Sequence, residues 1–541
     1  MNAVLIAAWP RGTTWARRYG LPLAGAAVLG AYLLLDAGWR EAAKAALVFL
    51  LGGYPLLRLA HPVAQRIGYR LWCAAFAVDL ALKGFLIALY QTKPDTVLVL
   101  DAIGNTSVDE SLEFFNQYGL LIAQFLLAGL LLFAALLYLR ADGERLRHAR
   151  ARWAVGLLVI FVGLHANPTF RRANPLLFWP NQLTQYQRFQ DKIEQIDEKR
   201  LLAERKLPEW QPTYVGPARN TVVLVIGEST NRWNWQLYGY PRATTPQLLR
   251  ETADAVVFQD VISGASGTVA SFRLMLTPAE VDRPLDDEAE PSVLLLAKAA
   301  GYKTYWISNQ HDRYINPRFA AEADVVRIVN SGGSRGDRKL DEGVLPPWEE
   351  ALRDDAPRKL IVVHLLGAHP HYEMRSPPEY KRFSGIDDPV IEQMRKDERS
   401  TWVRLQRNSY DNAMLYQDAV IARLLRSFKA DDDSGSGAFL YTSDHAQEVG
   451  HTRDFAGHTL SEPGVTVPFF VWLSKAPDAR TDAQLEGRPF QTDLLDWTVL
   501  DLARIRTRFD VPHLALLGEQ FRPQTRFVGD LPYTPSRRRH D

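Results

Sequence analysis

Five long apolar runs occupy the first third of the chain, and nothing comparable follows them. They cover about residues 20 to 36, 42 to 57, 69 to 91, 118 to 139 and 153 to 166, and from about Arg171 onward the sequence reads as an ordinary charged soluble protein. A helix that crosses a bilayer needs roughly 20 mostly apolar residues. The third and fourth runs meet that length fully, the first two acceptably, and the fifth is short. The pattern predicts a five-helix transmembrane domain over 1–170, an interfacial linker or bridging helix over 171–215 and a soluble domain over 216–541. The net charge of +1 over 541 residues averages across this division and indicates no nucleic-acid partner.

Basic residues orient the runs. Arg11, Arg17 and Arg18 precede the first, Arg58, Arg66 and Arg70 separate the second from the third, and Arg140, Arg145, Arg147, Arg150 and Arg152 separate the fourth from the fifth. With five crossings these stretches share one side, which the positive-inside rule makes cytoplasmic. The loop with Asp95, Asp101, Asp109 and Glu110 then lies outside, together with everything after the fifth run. A cleaved signal peptide is the rival account of the first run, but no A-x-A-like site follows it and four more apolar runs do. Asp79 and Lys83 stand one helical turn apart within the third run. Charges at membrane depth are functional candidates by default, and an i,i+4 pair also neutralises itself, which is the favoured reading.

The single cysteine, Cys73, lies in the third run, so the exported part has no disulfide of its own and must be stabilised by its core. In the connector, "NPLLFWPNQL" places Phe178 and Trp179 among prolines as an interfacial anchor, and "TQYQRFQDKIEQIDEKRLLAERK" is a polar helical stretch expected to end at Pro208. From Thr221 the pattern changes to short β-branched runs between helical stretches: "TVVLVIG", "KLIVVHLLG", "AFLYTSDH", "PFFVWLS". Strands that are apolar on both faces predict an α/β fold with a mixed, mostly parallel sheet flanked by helices. Ligands of such sheets sit beyond the carboxyl ends of the strands.

Those ends carry chemistry. "VVLVIGESTNRW" delivers Glu228, Thr230 and Arg232; "KLIVVHLLGAHPHY" delivers His364, His369 and His371; "AFLYTSDHAQEVGH" delivers Asp444, His445, Glu448 and His451, with His458 soon after. Asp, Glu and His from several strands make a divalent metal site, and nitrogen with oxygen ligation suits zinc or manganese. A threonine hydroxyl becomes a nucleophile at neutral pH only with a base or a metal, so a cluster converging on Thr230 is expected to activate it. A capped turn opening a helix accounts for "GESTN" equally well, and the two readings are compatible because a helix N-terminus also favours anions.

"VVLVIGESTNRWNWQLYGYPRATTP", "VVHLLGAHPHY", "SYDNAMLYQDAV" and "LYTSDHAQEVGH", in that order behind five apolar runs, resemble the membrane-anchored phosphoethanolamine transferases of Gram-negative bacteria, which belong to the alkaline-phosphatase-like sulfatase superfamily. The resemblance implies an alkaline-phosphatase-like soluble domain in the periplasm, anchored in the inner membrane. It implies zinc held by Glu228, Thr230, Asp444 and His445, one ion with a second as an option and manganese as the alternative metal. Thr230 is then the nucleophile that attacks phosphatidylethanolamine, releasing diacylglycerol and leaving a phosphoethanolamine ester that an acceptor hydroxyl takes up. His369 and His458 match positions that contact the transferred phosphate or a second metal, and are assigned phosphate binding or acid/base work. His364, His371 and His451 match less clearly, with a supporting or surface role as the default. In the loop "AIGNTSVDESLEFF", Asn105, Thr106 and Glu110 resemble a head-group site, against the alternative of a plain capped polar loop; Arg232 is a further substrate-binding candidate.

Departures bear on the acceptor. The family run "SDHGE" is here "SDHAQE", which leaves Asp444 and His445 in place and moves the carboxylate, Glu448, one residue on. Lipid A-modifying members carry disulfides that this chain cannot form, so lipopolysaccharide core or periplasmic glucan joins lipid A as an acceptor. A glycerol phosphate transferase using phosphatidylglycerol, or a non-catalytic envelope-binding membrane protein, are the alternatives. Classical sulfatases require a Cys or Ser followed two residues later by Pro and Arg, and Thr230, Asn231 and Arg232 do not supply that run.

Overall fold

The structure is a computed structural model. It describes residues 14–34, 39–59, 61–90, 108–139, 151–283, 289–310, 312, 314–330, 340–385, 387–432, 436–475 and 484–535. The chain divides into two compact units, Met1–Leu100 with Phe114–Phe189 and Asp101–Glu113 with Gln190–Asp541.

In the first unit each apolar run lies in a helix: α1 (Thr14–Leu34), α2 (Trp39–Leu56), α3 (Pro62–Tyr90), α4 (Val108–Tyr138) and α5 (Ala151–Leu164). Pro62–Leu89 and Tyr118–Tyr138 are long and apolar enough to cross a membrane, while Tyr19–Leu34 and Val155–Leu164 are shorter apolar helices. Gly52 lets α3 approach α2, because a Cβ there would stand 2.5 Å from the Trp72 ring. Trp72 in turn donates its indole N–H to the Phe49 carbonyl at 3.0 Å, and Phe76 packs edge-on against Phe49 with ring centroids 5.2 Å apart.

Asp79 is fully buried. It pairs with Lys83 at 2.9 Å and accepts from the Tyr32 hydroxyl and from Trp179 Nε1, the latter at 2.9 Å. Lys83 also donates to the Arg172 carbonyl at 3.0 Å and lies 4.1 Å above the Phe178 ring. Every donor points inward on the carboxylate, so the pair works as an internal clasp, as its one-turn spacing suggests.

The connector is helical almost throughout: α6 (Pro168–Ala173), α7 (Pro175–Glu194) and α8 (Ile196–Trp210). Pro168 stands at the start of α6 behind the cap Asn167, whose side chain accepts from Thr169 N–H. The expected stop at Pro208 is displaced. The helix continues through it to Trp210 and ends where Gln211 turns left-handed, φ 48°. Pro208 forfeits the N–H that would have bonded the carbonyl four residues back, and the burial of Trp210, whose ring stacks on Trp497, offsets that loss.

The second unit is built on a seven-stranded sheet. Its strands are β1 (Asn220–Gly227), β2 (Val256–Val257), β3 (Lys303–Ser308), β4 (Val325–Ile328), β5 (Arg358–His364), β6 (Ala438–Ser443) and β7 (Phe469–Leu473), in the spatial order β2-β7-β6-β1-β5-β3-β4. β1 runs parallel to β5 and β6, β3 parallel to β4 and β5, and β7 antiparallel to both its neighbours. The sheet is mixed and mostly parallel, as the strand pattern predicts. Alternation along β1 explains why: Val222, Leu224 and Ile226 enter one core with Phe258 and Trp306, while Val223 and Val225 enter the other with Trp348 and Tyr410. Both faces are buried, so neither phase of the alternation is free to be polar. Register then aligns the ends. Ile226 pairs with His364 and Thr442, and Gly227 with Ser443, so Glu228, Leu365 and Asp444 leave the sheet at one level.

Candidate metal centre and active site

Glu228, Asp444 and His445 each offer a ligand atom within 4.8 Å of the others, and all three are buried. His445 Nε2 lies 3.4 Å from Glu228 Oε1 and 3.4 Å from Asp444 Oδ2. The His445 Nδ1 is 3.1 Å from the Ala446 carbonyl, which only accepts, so Nδ1 carries the proton and Nε2 presents its lone pair to the carboxylates. Asp444 Oδ1 is occupied by the N–H groups of Ser229 and His445 at 3.2 and 2.7 Å. Its Oδ2 is buried without a hydrogen-bond donor. Such an orphaned oxygen beside an imidazole lone pair and a second carboxylate is a donor set for a divalent cation, and the residues fit zinc.

The electrostatics agree. Burial raises the Glu228 carboxyl, but His445, His369 and hydrogen bonds from Asp444 and Ser229 outweigh it and hold it below the ordinary carboxylate range. Burial and the Glu228 charge push Asp444 well above that range. Two carboxylates this close keep one proton between them unless a cation takes its place. Burial lowers His445, pushes His458 down to about 3 and His364 down to about 4, so all three imidazoles are neutral at pH 7.

The two threonines differ. Thr230 is fully buried, and its Oγ1 turns onto the Glu228 carbonyl at 3.3 Å while its N–H is held by Ser443 Oγ at 3.0 Å. Thr268, which the sequence reading passed over, opens the nine-residue helix α9 (Thr268–Leu276) behind Gly267. Its Oγ1 stands 3.0 Å from Glu228 Oε2 and 3.4 Å from His445 Nε2, and the residue is partly exposed. The signal for it was a Gly-Thr step ahead of a helical pattern, not a strand end. Gln310, at the end of β3, also reaches Glu228 Oε2 at 3.5 Å.

Around this core the loops are tightly held. Ser229 adopts φ 59° and donates its hydroxyl to Glu228 Oε1 at 2.5 Å. Tyr410 of the "SYDN" run, on helix α10 (Thr401–Asp431), donates to the Ser229 carbonyl at 2.5 Å and accepts the Asn231 N–H at 2.8 Å. Asp341 is buried and accepts from Asn309, Leu366 N–H, Gly367 N–H and Gln417. This fixes the loop that ends in His369, whose Nδ1 is buried without a partner.

Several sequence candidates lie elsewhere. The Arg232 guanidinium donates to the Gln259 carbonyl and stacks over Tyr238 at 5.6 Å; two residues beyond Thr230 the chain has already turned into a short 3-10 helix. Glu448 caps a turn through the N–H and hydroxyl of Thr452 and the His451 N–H. His451 meets Asn234 Oδ1 at 2.8 Å. His371 sits left-handed at φ 75°, and His364 packs on Phe272 with ring centroids 4.6 Å apart. His458 does approach, its ring 4.7 Å from that of His445. Asn105 and Thr106 lie outside the described residues, and Glu110 falls in α4 at a position whose side chain lies outside them.

A mixed sheet that gathers carboxylates and imidazoles at its strand ends, with a threonine hydroxyl from the first turn of a helix beside them, is an alkaline-phosphatase-like fold. Residues 220–505 match the family described as Sulfatase, and the chain belongs to that family. It is 35% identical over 333 residues to the phosphoethanolamine transferase EptC of Escherichia coli strain K12, covering 59% of this chain and 56% of that protein. The chain thus matches little more than half the length of that curated relative. The zinc complex of the C-terminal periplasmic domain of Escherichia coli EptC superposes with a TM-score of 0.54 at 33% identity, over 59% of this chain and 92% of that one. The integral membrane phosphoethanolamine transferase EptA of Neisseria meningitidis superposes with a TM-score of 0.63 over 94% of this chain and 99% of that one, and at 18% identity it speaks for the fold. The resemblance in the sequence motifs holds.

Proposed function

We propose that the protein transfers phosphoethanolamine from phosphatidylethanolamine to a hydroxyl of an envelope glycan or glycolipid, with Thr268 as the nucleophile in place of Thr230. The position of the Thr268 hydroxyl carries this reading, because it alone of the two threonines faces both Glu228 and His445. Glu228, Asp444, His445 and Thr268 would hold zinc, which supplies charge to lower the pKa of a bound hydroxyl and to offset the phosphate. The positive end of α9 adds to that at the same oxygen.

The transfer proceeds in two displacements. The Thr268 oxygen forms a bond to phosphorus as the bond to the diacylglycerol oxygen breaks, and the proton lost by the threonine ends on diacylglycerol. An acceptor hydroxyl then attacks the phosphothreonine ester, returning the proton to Thr268. His369 and His458, beside the centre, are the groups to relay it. Positioning and charge carry most of phosphoryl transfer, and rigid loops with fixed donors suit that need. Five crossings, with the soluble unit in the periplasm and the anchor in the inner membrane, would put the centre on the side where lipid head groups and lipopolysaccharide core, lipid A or periplasmic glucan meet; Asn105, Thr106 and Glu110 are the head-group candidates.

Intact-protein mass spectrometry after incubation with phosphatidylethanolamine and zinc tests this. A gain of one phosphoethanolamine group is expected on the wild type and on Thr230→Ala, and none on Thr268→Ala. An adduct that survives Thr268→Ala but not Thr230→Ala overturns the nucleophile. An adduct formed only from phosphatidylglycerol overturns the donor.

A further inference from the structure

The turn after His445 brings in a side chain that none of the steps above uses. Gln447 is fully buried. Its Nε2 donates to Ser229 Oγ at 2.8 Å and lies 3.3 Å from His458 Nε2, its Oε1 accepts from the Tyr372 hydroxyl, and its carbonyl accepts from Asn231 Nδ2 at 2.8 Å. These partners fix which end of the amide is which. Ser229 Oγ already donates to Glu228 Oε1, so toward Gln447 it accepts. The Tyr372 hydroxyl supplies its proton to Oε1, leaving the NH2 group to face Ser229 and His458. His458 Nδ1 lies 3.2 Å from the Ser266 carbonyl, so Nδ1 bears the proton and the Nε2 lone pair meets the amide.

A divalent cation requires lone pairs, and here an N–H occupies the one that His458 would offer. Among the described residues the ligand atoms that come together are those of Glu228, Asp444 and His445, and Ser229 Oγ links Glu228 Oε1 to this amide. We propose that Gln447 restricts the centre to a single cation, by filling the His458 lone pair with an amide N–H. In the run "SDHAQE", Gln447 falls two residues after His445, where "SDHGE" has its glutamate. The exchange of a carboxylate for an amide removes one negative charge and replaces an acceptor with a donor at the place where a second ion would need the opposite.

This rests on the zinc site of the proposed function, and zinc counting separates the two. Full-length protein in detergent is loaded with excess zinc, dialysed, and its zinc per chain read by native mass spectrometry and elemental analysis. One zinc is expected for the wild type and two for Gln447→Glu. Two in the wild type, which needs no variant to measure, overturns the inference, as does one in both proteins when the thermal melt of Gln447→Glu shows it folded. No zinc in either overturns the metal reading itself and this inference with it.

Discussion

Asp493 packs beside Gly264, in the segment leading to the helix that Thr268 opens, and its carboxylate accepts the Val281 N–H at 3.0 Å. Burial, with Glu280 and Asp282 acting in the same direction, pushes its carboxyl up to about 7. An unfolded aspartate titrates near 3.9. Between those values the folded chain holds a proton that the unfolded chain has released, so this contribution to stability is whole below about 4 and lost as pH rises through about 7. Asp493→Asn keeps an acceptor and cannot ionise. Its thermal stability should fall less than wild type between pH 5 and pH 8 and exceed wild type at pH 8, by roughly 1–4 kcal/mol at 1.36 kcal/mol per unit. Parallel pH profiles for the two proteins would mean that Asp493 titrates normally. At this scale the sequence was legible where residue type alone carried the chemistry. Glu228, Asp444 and His445 follow apolar strands, and a carboxylate or imidazole at a strand end has few structural uses. Thr268 and Gln447 were not legible in that way, because threonine and glutamine are ordinary residues until tertiary contacts bring their polar atoms to Glu228 and His458.

Elements place these residues, and the loop after β5 shows how closely. Gly367 adopts φ 57°, and a Cβ on it would stand 2.4 Å from the Glu228 carbonyl oxygen and 2.7 Å from its nitrogen. Ala368 N–H donates to that same carbonyl at 2.9 Å, so the loop lies directly on one of the proposed metal ligands. Gly367→Ala therefore meets backbone that has no rotamer with which to yield. Left-handed strain of about 1–2 kcal/mol and overpacking of about 1–3 kcal/mol are expected together. Zinc affinity should fall along with the melting temperature, since relief requires Glu228 to move; a variant that melts lower but binds zinc as tightly as wild type would show that the loop yields instead. The strands themselves were readable because burial on both faces forces continuous apolar runs. The loops between them were not, because their shape is set by buried hubs such as Asp341, whose donors come from segments far apart in the chain.

At the scale of the whole molecule, the two units differ in what they bury. The second unit has two apolar cores on a buried sheet and no cysteine, while the described part of the first unit adds to its apolar core a buried carboxylate surrounded by donors. Apolar helices gain little from one another in lipid, so a clasp between Asp79, Lys83, Tyr32 and Trp179 counts for more there than it would in water. Removing one charge of a buried pair leaves the other uncompensated, at a cost of about 3–5 kcal/mol, whereas replacing both with apolar groups is often nearly neutral. Asp79→Ala alone should lower the melting temperature of the first unit sharply in detergent. Asp79→Ala with Lys83→Met should recover most of the loss, since no uncompensated charge remains and the methionine can still pack on Phe178. Zinc per chain should be unchanged in both, because the proposed metal ligands belong to the other unit. A double variant no more stable than the single would mean that the hydrogen bonds from Tyr32 and Trp179, and not the charge pairing, hold α1, α3 and α7 together. A double variant that regains stability but loses phosphoethanolamine transfer would assign the pair a role in the reaction itself.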